Sequence, residues 1–354
     1  MTGAGKLCHC QNYFSNFQTR LNYTQRKLPT RIKLKQNSAL KGGGLAAAKG
    51  RFVLGVTIPL LLYLSVSIFV LCWAFLLMFF KYSPVRSGGP FLGLGGSNPF
   101  VGLGNFVEMV KGTSIEAHLF RTSLKNTLIF AFAVLPLNLA ITLPLAWLLE
   151  SIGQRFKTMF RTIYFMPVLT SSVGVALIWM SLYHPQSGWL NQIIRFFGGT
   201  PKAWLSDPTA GFMGVSVSMW AVVLAYLWQD YGFNVIIFIA ALQGVPKMLK
   251  EAAMVDGANR WQTFSKIMVP LIRPALLFVC VMTMLSSFQV FDIIQVMTNG
   301  GPGYNTQVLV LDIYKNAFRY HRMGWAAAES FVLVLIVMSV TIFQMRVLRT
   351  KWEY

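Results

Sequence analysis

The chain has 354 residues, of which 55% are hydrophobic and 12% charged, with 31 Lys+Arg against 11 Asp+Glu. An ordinary soluble domain carries about a quarter charged residues, so the composition excludes one and indicates an all-α integral membrane protein. A membrane helix needs roughly 20 apolar residues; about six to eight spans fit in this length, and no large soluble domain fits beside them. The net charge of +20 lies in an acid-free leader and in loops, a distribution that membrane topology explains better than nucleic acid does.

Residues 1–51 read as a basic, disordered cytoplasmic tail, with Lys6, Arg20, Arg26, Lys27, Arg31, Lys33, Lys35, Lys41, Lys49 and Arg51 and no carboxylate. Such a leader also matches an organelle transit peptide or an over-called start. Cys8-His9-Cys10 lacks the second cluster that a tetrahedral metal site needs. Gly3-Ala4-Gly5-Lys6 lacks the GxxxxGK(S/T) spacing of a phosphate loop, so no ATP site is legible in the chain.

Residues 52–346 hold six predicted spans. The first is Phe52–Phe80, and the Gly- and Pro-rich stretch Ser83–Gly104 after it predicts an irregular exposed loop. The second lies within Asn126–Leu149, and the third runs from Thr162 to Tyr183, where His184-Pro185 ends it. The fourth covers Met213–Leu242 and is interrupted by Asp230; the fifth covers Pro274–Met297; the sixth, Met323–Phe343, opens on small residues that let helices approach closely. Residues 347–354 form a short tail. Six spans place both termini on one side, and the loops on the tail's side carry about twice the density of Lys and Arg, which makes that side cytoplasmic.

The polar segment 243–273 breaks the pattern. Pro246 starts a helix with a thin apolar side at Leu249, Ala252 and Ala253, Gly257 permits a sharp turn, and a second helix, Arg260–Met268, carries Trp261, Phe264, Ile267 and Met268 on one face. A helix–turn–helix in a cytoplasmic loop either pads its own bundle or docks into another protein's groove.

Glu251-Ala252-Ala253 with Asp256-Gly257-Ala258, then Phe264, Ile267 and Pro270, resembles the EAA signature of permease subunits of bacterial ATP-binding-cassette importers. The stretch Thr298–Ser330 is similar to the loop and last helix of the first permease subunit in the carbohydrate-uptake group of type I importers. Val269 stands where the family usually has Leu. The resemblance implies a MetI-like, six-span inner-membrane permease that is not itself an enzyme. It implies that Glu251, Ala252, Ala253, Asp256 and Gly257 form a coupling helix seated on a separate cytoplasmic ATPase dimer, which would bind ATP and Mg. A second, homologous permease subunit and an extracytoplasmic solute-binding protein complete the assembly that it implies.

An ionisable residue inside a span is costly and marks function. Asp230 lies roughly 18 Å from the cytoplasmic end of the fourth span, near the bilayer centre. Tyr226, Gln229, Asp230 and Phe233 share one helix face with Asn234 at its edge, and Thr283 and Ser287 on the fifth span reach the same depth. The resemblance places this face in a sugar path. Interhelical hydrogen bonding explains the same polar residues without a solute. Asp292 is expected near the outer interface, and Glu329 is expected there as a cap or as the partner of Arg322. A rival reading is a stand-alone secondary transporter that uses Asp230 as an intramembrane ion or proton site. An intramembrane enzyme finds no support, since His9, His118, His184 and His321 all fall in the tail or loops.

Overall fold

The computed structural model describes residues 43–348 except 87, 92, 153, 209 and 210. The leader up to residue 42, with Cys8-His9-Cys10, and the tail from 349 lie outside the described residues. Two units can be distinguished, residues 1–68 and 69–354. In the first, α1 (Gly43–Leu77) begins, so residues 43–51 of the expected tail are helical. Leu45, Ala46, Ala47 and Ala48 are strong helix formers that extend the apolar run backwards. From Gly55 to Ile68 its side chains are mostly exposed, as a lipid-facing helix requires.

The second unit holds the other elements. A short antiparallel hairpin, β1 (Gly88–Phe91) and β2 (Leu94–Gly96), corrects the expectation of a wholly irregular loop, because clustered glycines favour a tight turn. After α2 (Gly104–Lys111) comes α3 (Ile115–Ser151), which starts well before the expected Asn126. The Ser114 hydroxyl accepts from the Ala117 N–H, and Glu116 sits in the first turn, so the helix is capped outside the apolar core.

The expected third span is broken. α4 (Gln154–Leu169) and α5 (Ser172–Leu182) meet at 99°. Pro167 supplies no N–H to the helical ladder, and the peptide carbonyl freed at Thr170 accepts 3.0 Å from Gln229 Nε2. The following loop contains α6 (Trp189–Phe196), where Asn191 ties Lys202 and the Trp204 indole to the end of α5. Then come α7 (Val217–Gln243), α8 (Lys247–Val255), α9 (Arg260–Thr263), a π turn over Phe264–Met268, α10 (Val269–Leu271) and α11 (Arg273–Phe288). The chain ends through α12 (Asp292–Met297), α13 (Leu309–Tyr314), a π turn over Lys315–Arg319, and α14 (Met323–Leu348). Among the described residues five helices are long and apolar enough to cross a membrane, or six if α4 and α5 count as one span.

Of four apolar clusters among the described residues, two are large. One gathers Val175, Val222, Val223, Ile294 and Leu311 from α5, α7, α12 and α13. The other gathers Leu149, Phe238, Leu242, Phe264 and Met268 beneath the 243–273 segment. At the start of α14, Gly324 lies directly against the Phe80 carbonyl and donates 3.0 Å to the Tyr82 carbonyl, a close approach to the non-helical segment after α1.

Candidate functional site: an interhelical polar cluster and a projecting loop helix

Between the two cores, polar side chains of α3, α7 and α11 meet. Asp230 Oδ2 accepts from Asn138 Nδ2 at 2.8 Å and from Asn234 Nδ2 at 3.0 Å. Asn234 Nδ2 also approaches Asn138 Oδ1 at 3.1 Å and Thr283 Oγ1 at 3.3 Å. Ser287 donates 2.6 Å to the Thr283 carbonyl, and the Tyr226 hydroxyl bonds to Ser286 and Ser287 while its ring meets Phe130 edge-on. Both amides converge on Oδ2; among the described residues Oδ1 has no donor.

The structure thus brings together Tyr226, Asp230, Asn234, Thr283 and Ser287. It directs Gln229 to Thr170 and Ser172, where the amide caps the break between α4 and α5. Phe233 is 42% exposed and stands apart from the cluster. Asn138 and Ser286 were missed. The signal for Asn138 was present in its i, i+4 partner Thr142, which donates 2.7 Å to the Asn138 carbonyl.

The loop segment divides into a base and a projection. Phe264 stacks on Trp147 of α3 at 4.9 Å, Trp261 meets the same ring at 5.9 Å, and Phe264 and Met268 are buried. Asn259 and Gln262 form a reciprocal capping box at the start of α9. By contrast, Glu251, Ala252, Met254, Asp256 and Gly257 on and beyond α8 are exposed, Val255 is 87% exposed, and only Ala253 is buried. Gly257 turns the chain at φ +81°, a left-handed conformation open to glycine and strained for other residues. The second arm anchors the segment, and among the described residues α8 touches its own bundle mainly through Ala253 and through Lys250, which donates 3.4 Å to the Leu242 carbonyl.

A third polar group lies beyond the far end of α11. Gln307 Nε2 donates 2.9 Å to Asp312 Oδ1, and Lys315 Nζ donates 2.9 Å to both Gln307 Oε1 and the Asn299 carbonyl. Asn126 on α3 holds the carbonyls of Tyr304 and Gln307. The expectation for Glu329 is corrected: it is fully buried, takes 2.7 Å from the Trp325 indole and is bonded by Asn316. Arg322 pairs instead with Glu116, which α3 carries to the same surface. Asp292 is exposed, as expected.

Burial pushes the Asp312 carboxyl up to about 6, against the pull of its hydrogen bonds with Gln307 and the neighbouring Glu329 carboxyl and of the Lys315 charge. An unfolded Asp titrates near 4, so between about pH 4 and 6 the folded chain binds more protons than the unfolded one. Stability contributed by this group is therefore present in full below about pH 4 and is lost as the pH rises to 6. Thermal unfolding of the solubilised protein across that window is expected to show the decline, and Asp312→Asn is expected to flatten it. An unchanged slope in the variant refutes the assignment.

The family model of the binding-protein-dependent transport system inner membrane component matches residues 42–352. The chain belongs to this family. A probable ABC transporter permease of Pyrococcus horikoshii is 33% identical over 252 residues, which cover 71% of this chain and 82% of that protein. The sn-glycerol-3-phosphate transport system permease protein UgpA of Agrobacterium fabrum is 33% identical over 259 residues, covering 73% and 84%. In fold, the permease resembles a chain of a bacterial ABC transporter involved in the import of the acidic polysaccharide alginate. That match has a TM-score of 0.70 at 20% identity, over 87% of this chain and 98% of the other. The protein is thus a multi-pass permease subunit of the inner membrane and not an enzyme. Its membership does not favour the stand-alone carrier built on Asp230.

Proposed function

We propose that this permease passes a sugar or related polyol across the inner membrane, driven by a separate cytoplasmic ATPase dimer that binds ATP and Mg and seats on α8. Its termini then face the cytoplasm, a second homologous permease completes the path, and an extracytoplasmic binding protein delivers the solute. The observation that carries the coupling role is the exposure of α8 on a buried base. Among the described residues, nothing covers Glu251, Asp256 and the apolar Met248 and Val255, yet Phe264 and Met268 tie the loop to the bundle core. A force applied to α8 therefore reaches α7 and α11 without dissipation in a floppy hinge.

The solute class is supported by the midplane chemistry and by the likeness to UgpA. Tyr226 supplies an aromatic ring and Asp230 a carboxylate oxygen without a donor among the described residues, groups of the kind that pair with a sugar, while Thr283 and Ser287 are themselves buried. Transport follows alternating access: ATP binding closes the ATPases, α8 carries the motion, and the cluster around Asp230 turns outward until hydrolysis resets it. Affinity purification of the tagged chain from mild detergent, followed by mass spectrometry, is expected to recover an ATPase with a phosphate loop and a second EAA-bearing permease. Sugars and polyols are then expected to stimulate its ATPase activity in the presence of the binding protein. A chain that purifies alone under every detergent condition refutes the coupling role.

A further inference from the structure

Beyond the α11 end of the midplane cluster is a pocket that none of these roles uses. It has a volume of about 360 Å³ and is lined by Gln295, Asn299, Tyr314, Lys315, Phe318 and Arg319. Two of the six are cationic and none is acidic. Lys315 is 8% exposed, and its ammonium donates to the Asn299 carbonyl and Gln307 Oε1. An ammonium has three N–H donors, so one remains for a ligand in the pocket that Lys315 lines.

The Lys315 charge is offset by Asp312 behind it. Arg319 is exposed, and the ion pairs among the described residues, Lys157–Glu150 and Arg322–Glu116, do not involve it. The pocket therefore has an uncompensated positive charge at its mouth. Phe291, Tyr314 and Phe318 form a ladder with ring centroids 5.0 and 5.4 Å apart, and both Tyr314 and Phe318 keep ring surface open. One held and one free cationic donor beside amides and open aromatic faces suit a hydroxylated ring that carries an anionic group. Phe291 also packs on the core that holds Tyr226. Gln295 stands on α12, the helix that follows α11, and α11 carries Thr283 and Ser287 of the cluster, so the pocket adjoins the cluster in chain order.

We propose that this pocket is an outer receiving site for an anionic carbohydrate. Arg319 and Lys315 hold its carboxylate or phosphate, and Tyr314 and Phe318 take its ring. The proposal rests on the sugar reading above and narrows it to acidic solutes.

The test uses the full chain, with the subunits that co-purify, in phosphatidylcholine nanodiscs. Saturation-transfer NMR titrations compare glucuronate, glucose 6-phosphate and glucose. Both anions are expected to bind about tenfold more tightly than glucose, and Arg319→Gln is expected to remove that preference while leaving thermal stability unchanged. Equal affinities for the three, or a preference that survives Arg319→Gln, overturn the receiving site and leave the sugar reading in place. Binding of none of the three overturns both. Displacement of glucuronate by phosphatidylglycerol, abolished by Arg319→Gln, assigns the site to a lipid headgroup and also overturns the proposal.

Discussion

Gly232→Val is expected to remove the folded permease from detergent extracts. Gly232 sits mid-way along α7 where α4 crosses it, and a Cβ built there falls on the carbonyl oxygen of Tyr164 and within 3.2 Å of Val168 Cγ2. The obstacle is backbone, so no change of rotamer relieves it, and the two helices must separate. Overpacking of a deformable core costs about 1–3 kcal/mol; a clash between two helix backbones exceeds that range. Separation would also withdraw Gln229 from the Thr170 carbonyl, which leaves the break between α4 and α5 without its cap. Gly55→Ala is the control, because nothing lies within 4 Å of a Cβ at that position. Size-exclusion profiles and melting curves of the two variants check the prediction. A Gly232→Val protein that elutes and melts like the parent overturns the packing argument.

Gly257→Pro is expected to leave insertion and folding of the bundle intact while abolishing solute-stimulated ATPase activity in the assembled transporter. Proline holds φ near −65°, whereas Gly257 requires +81°, and its ring deletes the N–H that donates 3.1 Å to the Met254 carbonyl. The turn between α8 and α9 then opens, and α8 no longer projects in the direction set by its base. Little else suffers, because Gly257 is exposed and no atom lies within 4 Å of its Cβ position. Gly257→Ala retains the N–H and pays only the left-handed penalty of about 1–2 kcal/mol, so it should keep part of the coupling. Normal uptake by the proline variant would remove α8 from the coupling path.

Much of this architecture was legible before folding. Apolar runs bounded by charges marked the spans, the broken third excepted, because transfer into a membrane is read residue by residue. The motif around Glu251–Gly257 was recognisable for a similar reason: a turn glycine and small helix residues leave a local signature. Tyr226, Asp230, Asn234, Thr283 and Ser287 could be set at one depth from helical rise alone. Gln229 shows where this method stops. It shares their helix face, yet its amide is claimed by a carbonyl that only the break at Thr170 exposes. Asn138 was missed for the complementary reason, since its value depends on which helix α7 packs against.

What the sequence determined by itself is therefore whatever depends on spacing along one helix: the spans, the polar depth, the exposed loop helix and its turn. The tertiary structure alone decided the 99° break, the pairing of Arg322 with Glu116 in place of Glu329, and the meeting of Lys315, Arg319 and the aromatic ladder at one pocket. Each of these joins residues from separate elements. A buried polar group takes the partner that folding brings nearest, and periodicity within a helix carries no information about its neighbour.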